Sequence, residues 1–344
     1  MDKEYRYLVA TQCMTYNQAS FIEDAVNGFA SQETSFPVVF LIVDDASTDG
    51  EQQVIKKWCT DNLSDADCKS FWHQMLYGEF ASSSIKGKPQ VEFKILLLRV
   101  NYHQSDRHYE KIGLISEWLD NAKYNAICEG DDFWINPHKL QMQVDFMESH
   151  PDYALCHTDF NLANGMRRNH TNVPVENDNY FPESIINGVR IGTATSLYRT
   201  DALQKCPQNF MVNKWPMGDY PLWIELSHEG KIKYFPIITA CYRVVDNSAS
   251  HGSLEKEIAF TNANLEIKRF YAEYYGVHLP NDGLTKSYYL RIMKCAHKHG
   301  SKEVARHCLK DAYRKKAVTL KTMVFFLATY SKIINRIVGL YYWS

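Results

Sequence analysis

The sequence predicts an α/β fold built on a mostly parallel central sheet and followed by a helical C-terminal extension. Strand and helix patterns alternate over the first 160 residues, two runs of carboxylates each stand where an apolar strand pattern ends, and helical spacing dominates from about Glu255 onward. At 344 residues, with 45% hydrophobic and 23% charged residues, the chain can bury one large core or two modest ones. Disorder and coiled coil are therefore excluded as overall classes.

Tyr7 to Ala10 opens the sheet as an apolar strand. Ser20 with Glu23 makes a capping box, after which Ile22, Ala25, Val26, Phe29 and Ala30 share one helical face. Val38 to Val43 reads as a buried strand running into Asp44, Asp45 and the turn through Gly50, and Thr48 with Glu51 forms a second capping box for a helix carrying Val54, Ile55 and Trp58. Residues 60 to 92 are polar and read as a long surface loop, and Phe93 to Val100 resumes the sheet. Tyr124 to Cys128 is a further strand that ends in Glu129-Gly130-Asp131-Asp132, with Asn136 and Pro137 at the cap and first turn of a helix through Met147. Residues 161 to 190 are Asn-rich and read as loop. In open α/β sheets ligands bind beyond the carboxyl ends of the strands, so both acidic runs should face one crevice.

Composition and motifs remove many functions. A formal charge of −2 offers no global basic field for nucleic acid. The nine cysteines are scattered without a C-x-x-C pair, which suits a reduced, cytoplasmic interior. The N-terminus has no secretory pattern, and no apolar run reaches the roughly 18 residues of a membrane span. There is no G-x-G for a dinucleotide and no P-loop, G-x-S-x-G or H-E-x-x-H. The run from Asp45 is not a calcium loop, because its twelfth position is Lys56 rather than Glu. His297-Lys298-His299 reads as a solvated basic stretch, and Asn169-His170-Thr171 as an idle sequon.

The surviving chemistry is carboxylate. Adjacent hard oxygen ligands suit Mg²⁺ or Mn²⁺, which would neutralise a diphosphate. One such cluster is equally explained by the preference of acids for helix N-termini, and the repetition at two strand ends shifts the balance toward function.

Four runs in order, Thr15-Tyr16-Asn17, Val43-Asp44-Asp45-Ala46-Ser47-Thr48-Asp49-Gly50, Glu129-Gly130-Asp131-Asp132-Phe133-Trp134 and Gly218-Asp219-Tyr220-Pro221-Leu222-Trp223, resemble family 2 glycosyltransferases of the GT-A, nucleotide-diphospho-sugar transferase-like fold. The resemblance covers about residues 5 to 250. It implies that Thr15 and Asn17 lie beside the nucleotide, that Asp45 accepts a hydrogen bond from the base, most simply uracil N3–H, and that Asp131 approaches the ribose. Asp132, with Asp131 and with Glu129 as a nearby second carboxylate, would hold Mn²⁺ or Mg²⁺ as the DxD site. Asp219 matches the catalytic base, a position where capping the following helix is the ordinary alternative. The implied reaction is inverting transfer of a sugar, most simply from a UDP-sugar, to a glycan or lipid-linked acceptor in cell-surface polysaccharide synthesis of the bacterial type. A nucleotidyltransferase and a catalytically inactive binding module are the competing readings. The chain departs from the family where Tyr242-Arg243-Val244 is followed by Val245, so no role is assigned to Arg243, His103, Lys111 or His251, and Glu225 or Asp246 would be the next bases to test.

The expected organisation is a nucleotide-sugar half at 1–160, an acceptor half at 161–265, a helical extension at 266–316 and a basic amphipathic tail at 317–344. From Ala312 to Ser344 there are six basic residues and no acidic ones. Met323, Val324, Leu327, Ile334, Val338 and Tyr341 recur at helical spacing, with Lys321, Lys332, Asn335 and Arg336 on another side and Tyr342 and Trp343 at the end. That pattern, with no acidic residue after Asp311, predicts a peripheral seat on the cytoplasmic face of an anionic membrane; a helix docked on the protein's own core or a dimer contact is the ordinary alternative.

Overall fold

The computed structural model describes residues 4–66, 71–103, 107–163, 167–168, 182–188, 191–213, 215–245 and 252–342. The chain divides into two compact units, Met1–Val212 with Leu222–Val244, and Asn213–Pro221 with Val245–Ser344.

The first unit starts with β1 (Tyr7–Thr15), α1 (Ile22–Ala30), β2 (Val38–Asp44) and α2 (Glu51–Asn62). A hairpin run follows, β3 (His73–Gln74), β4 (Gly78–Ile85) and β5 (Lys88–Leu98), then α3 (His108–Gly113), α4 (Ser116–Asp120), β6 (Ala122–Ile127), β7 (Phe133–Trp134) and α5 (Lys139–Ser149). It continues through β8 (Tyr153–Leu162), β9 (Arg167–Arg168), α6 (Pro182–Asn187), β10 (Leu197–Arg199), α7 (Thr200–Lys205) and α8 (Asn209–Val212). α9 (Asp219–Glu229), whose residues to Pro221 belong to the second unit, and β11 (Lys231–Tyr242) follow in the chain.

Among the described residues the strands form one sheet in the order β3-β4-β5-β2-β1-β6-β10-β8-β11-β7. Its heart, β5-β2-β1-β6, is parallel, with Thr15 beside Asp44 and Gln12 beside Ile127. The expected α/β architecture with its parallel centre is thus present, and antiparallel strands extend it on both sides. Val9, Cys13, Phe40 and Ile42 point to one apolar layer with Ile22, Val26 and Phe29 of α1 and Ile55 and Trp58 of α2. Ala10, Leu41 and Val43 face a second layer that includes Ile115, Trp118 and Leu119. The chain moves outward from β1 through β2 to β5 and then returns to the opposite side of β1 with β6. That reversal makes the carboxyl end between β1 and β6 the topological switch point.

Several local expectations are corrected. The polar stretch 60–92 is not a loop but largely β3 to β5, joined by a turn at Gly87 with φ 80°. Its serines hide the alternation: Ala81, Ser83 and Ile85 face inward, and Ser83 is accommodated because its hydroxyl donates to Asp65 at 2.8 Å. Neither capping box forms. α1 opens behind Phe21 rather than Ser20, with the Phe21 and Ile22 amides donating to the Gln18 carbonyl and no side chain capping the helix. α2 opens behind Gly50 at φ 96°, with Asp49 accepting from the Glu51 amide at 3.1 Å. α5 begins two residues later than the Pro137 signal, because Asn136 accepts instead from the His138 amide at 2.9 Å. The described part of 161–190 contains the end of β8, β9 and α6, and the rest of that stretch lies outside the described residues.

The second unit is helical, with α10 (Leu254–Tyr274), α11 (Asn281–Lys298), α12 (Lys302–Arg314), α13 (Leu320–Tyr330) and α14 (Lys332–Tyr342). Thr319 caps α13, and the helix stops at Ser331, so the tail is two helices rather than one. Val324, Ile334 and Val338 pack with Ile292, Met293 and Phe325 in the core of this unit. The predicted stripe therefore serves mainly the protein's own packing, while Leu327 is exposed and the side chain of Tyr341 lies outside the described residues. The tail's Lys321, Lys332, Asn335 and Arg336 are exposed.

Candidate active site

The end of β1 is the frame onto which both acidic runs are fastened. Beyond β2, the Asp45 amide donates to the Thr15 carbonyl at 3.0 Å, and beyond β6, the Gly130 amide donates to the Met14 carbonyl at 3.2 Å. The acidic runs thus flank one strand end at the switch point, as the strand-end pattern predicts. Gly130 is required there: a Cβ would lie 2.4 Å from Thr15 Oγ1 and 2.6 Å from Gln18 Oε1.

On the β2 side a buried carboxylate organises the turns. Glu51 is fully buried and accepts from the Thr15 hydroxyl, from the Gln18 amide at 2.8 Å and from the Ser47 hydroxyl at 2.8 Å. Burial pushes its carboxyl above the usual range, against those three donors. Asn17 is exposed and left-handed at φ 53°; its amide donates to Ser47 Oγ at 2.8 Å and its Oδ1 accepts from the Thr48 amide at 2.8 Å. Ala46, also left-handed at φ 63°, holds the opposite turn in a conformation that costs an L-residue about 1–2 kcal/mol. Asp44 is fully buried and accepts from the Ser47 amide at 3.1 Å and Gln52 Nε2 at 2.5 Å, and burial raises its pKa.

Asp45 is only 1% exposed, and both of its oxygens are already engaged. Oδ1 accepts from the Tyr102 amide at 2.8 Å; Oδ2 accepts from the His103 amide at 3.1 Å and from Lys111 Nζ at 2.8 Å. Lys111 and the backbone of His103, which carried no assigned role, are thereby placed as its partners. The carboxylate ties the segment that follows β5 to the end of β2.

On the β6 side, Glu129 is exposed, Asp131 half-buried and Asp132 5% exposed. Arg243, just past β11, holds this turn: its amide donates to Asp132 Oδ1 at 2.9 Å, its Nη1 donates to the Asp131 carbonyl at 2.8 Å, and its Nη2 pairs with Asp24. The guanidinium lies 4.4 Å from the Phe133 ring centre and 5.0 Å from that of Phe21. Burial, followed by repulsion from Asp131, holds the Asp132 carboxyl well above the ordinary range, and burial raises Asp131 as well. Among the described residues no three His, Cys, Asp or Glu side chains are grouped to hold a metal by themselves. Two carboxylates with excess negative charge do fit Mg²⁺ or Mn²⁺, which take one or two carboxylates and complete their shell with substrate phosphates and water.

Asp219 is half-buried at the first position of α9, where its Oδ1 accepts from the Tyr220 amide at 2.8 Å. Pro221 in the first turn suits that start, and Leu222, Trp223, Ile224 and Leu226 anchor the helix. Glu225, the fallback base, is fully buried and accepts from the Gln208 and Asn209 amides at 2.9 Å each, which corrects its candidacy to a structural role. Asp246 and His251 lie outside the described residues. Of the residues whose part the sequence did not reveal, Glu51 was hidden by its capping-box spacing, Ser47 stood in the run 43–50 without a role of its own, and Gln18 gave no signal.

No known family profile matches the chain. Over 148 residues it is 32% identical to the uncharacterized proteins Rv1520 of Mycobacterium tuberculosis (strain ATCC 25618 / H37Rv) and Mb1547 of Mycobacterium bovis, a match covering 42% of this chain. The chain spans only 32% of the length of those relatives. In three dimensions it resembles the mannosyltransferase PcManGT from Pyrobaculum calidifontis, solved with GDP-Man and Mn²⁺, over 98% of this chain and 88% of that one, at 15% identity and a TM-score of 0.50. TarS 1–349 of S. aureus, solved with UDP, matches over 96% and 82% at 14% identity and a TM-score of 0.47. The fold is GT-A-like. In this GT-A-like fold the two carboxylate runs stand at the place where an open α/β sheet takes its ligand.

Proposed function

We propose that the chain is a metal-dependent, inverting family 2 glycosyltransferase of the hexosyltransferase type. It moves a sugar from a nucleotide sugar, a UDP-sugar first, to a glycan or lipid-linked acceptor in cell-surface polysaccharide synthesis. The observation that carries this reading is the attachment of both carboxylate runs to the end of β1, through Thr15 and Met14, at the switch point of the sheet.

Thr15 and Asn17, cross-linked through Glu51, Ser47 and Thr48, form the turn against which the nucleotide lies. Asp45 acts at the base through one remaining acceptor position and through the segment it secures at Tyr102 and His103. Asp131 meets the ribose, and Asp132 with Asp131 holds Mn²⁺ or Mg²⁺, with Glu129 as a second-rank carboxylate. The bound cation supplies charge neutralisation on the diphosphate leaving group. Asp219 takes the proton of the acceptor hydroxyl as it attacks the anomeric carbon, so that a single displacement inverts configuration. PcManGT, with its GDP-Man and Mn²⁺, supports a sugar nucleotide and a divalent ion as the ligands to try first. No helix among the described residues is long and apolar enough to cross a membrane, and the proposed attachment is peripheral, through the basic C-terminal helices. Incubating the protein with a panel of nucleotide sugars and Mn²⁺, and measuring free nucleoside diphosphate and product stereochemistry, tests the assignment.

A further inference from the structure

α12 and α13 leave between them a groove of about 650 Å³, within the size range of small-ligand pockets. Leu309, Val318, Met323 and Phe326 give it an apolar lining. Arg306, Lys310 and Arg314 stand along it at four-residue spacing, and therefore on one side of α12. Among the described residues none that lines the groove is acidic. Arg314 also meets Asp311 at 3.6 Å, an exposed pair that contributes little and leaves the row cationic. Tyr313, which also lines the groove, is 78% exposed, and Leu320 at the start of α13 is 82% exposed.

We infer that this groove seats one anionic phospholipid of a bilayer surface. The acyl chain occupies the lining of Leu309, Met323 and Phe326. The headgroup phosphate meets Arg306, Lys310 and Arg314, and Tyr313 and Leu320 enter the boundary between headgroups and chains. Charge complementarity selects this occupant: a nucleic acid would match the row of cations but not the apolar lining, and a neutral apolar segment would match the lining but not the cations. The inference deepens the peripheral attachment in the proposed function and rests on that part of it. It also replaces the predicted stripe, which the unit's core has largely consumed, with a surface between α12 and α13 that keeps only Met323 of that stripe.

Sedimentation of the full chain with phosphatidylcholine vesicles, with and without phosphatidylglycerol, tests it. Binding is expected only to the vesicles containing phosphatidylglycerol, and inorganic phosphate should not displace it. Each basic residue at an anionic surface is worth about fivefold in binding, so the triple variant Arg306→Gln/Lys310→Gln/Arg314→Gln should bind about 10²-fold more weakly. Tyr313→Ser/Leu320→Ser should also weaken binding, and both variants should keep the parent's thermal unfolding because the altered side chains are exposed. Equal binding to both vesicle types, an unaffected triple variant, or displacement by phosphate alone overturns the inference. So does binding of duplex DNA, or self-association, that the triple variant abolishes while vesicles bind neither form. The Mn²⁺-dependent thermal shift by UDP is measured on the same samples. If vesicle binding fails while that shift persists, the membrane seat is wrong and the transferase reading stands; the reverse result condemns the transferase reading alone.

Discussion

Replacing Lys111 by Met tests whether the segment after β5 is held by charge. Lys111 Nζ lies 2.8 Å from Asp45 Oδ2, in a pair whose acid is 1% exposed and whose lysine is 8% exposed. Met keeps most of the side-chain volume but leaves the carboxylate with only the Tyr102 and His103 amides as donors. Removing one partner of a buried ion pair costs about 3–5 kcal/mol, because the remaining charge is stranded. In a domain of 150–250 residues each kcal/mol moves the midpoint by about 2–4 °C, so Tm should fall by roughly 6–20 °C. Adding Asp45→Asn removes the stranded charge, and most of the loss should then be recovered. Urea unfolding of the parent, both single variants and the double variant gives the coupling directly, provided the slope against denaturant is unchanged. A loss below about 1 kcal/mol for Lys111→Met, or simple additivity in the double variant, would refute the reasoning.

Three further outcomes are expected. Gly130→Ala drives a Cβ against Thr15 and Gln18, so it should abolish the Mn²⁺-dependent shift by UDP; calorimetric UDP affinity equal to the parent's would show that the acidic turn need not be held there. Asp219→Asn should retain donor binding and lose about 10² to 10⁴ in turnover, read by diphosphate release, and near-normal turnover would move the base elsewhere. Lys139 is fully buried 4.3 Å from the Trp134 ring centre, and desolvation pushes its ammonium down to about 7. The unfolded chain keeps that proton up to about 10.5, so stability should rise with pH across this window, by on the order of 5 kcal/mol. Chemical denaturation at several pH values should show that rise in the parent and not in Lys139→Met; identical pH slopes would mean that burial does not depress the pKa of Lys139.

The parts of the site that were legible in the sequence are those where chemistry and chain geometry coincide. Asp44-Asp45 and Glu129-Gly130-Asp131-Asp132 could be placed because apolar strands end directly before them, and parallel strands bring such ends together. Glu51 was misread because its spacing from Thr48 mimics a capping box, whereas tertiary structure offers it Thr15, Gln18 and Ser47 instead. β4 escaped notice because Ser83 stands among its inward-facing residues beside Ala81 and Ile85, and the partner Asp65 makes Ser83 tolerable inside. Arg243 lies about 110 residues from the carboxylates it holds, a contact that no local pattern encodes. In the tail the helical period was readable, but period alone does not say whether an apolar stripe meets the protein or a membrane. The answer depended on Ile292, Met293 and Phe325, which present Val338 with a core.

The most direct test of the central claim is release of nucleoside diphosphate from nucleotide sugars, followed with Mn²⁺, with chelator, and with Asp132→Asn. The account predicts release from at least one UDP-sugar with Mn²⁺, accelerated by an acceptor glycan and lost both with chelator and in the variant. Release that is indifferent to chelator and to Asp132, or no release from any sugar nucleotide while the protein is folded and Mn²⁺ is present, would contradict it.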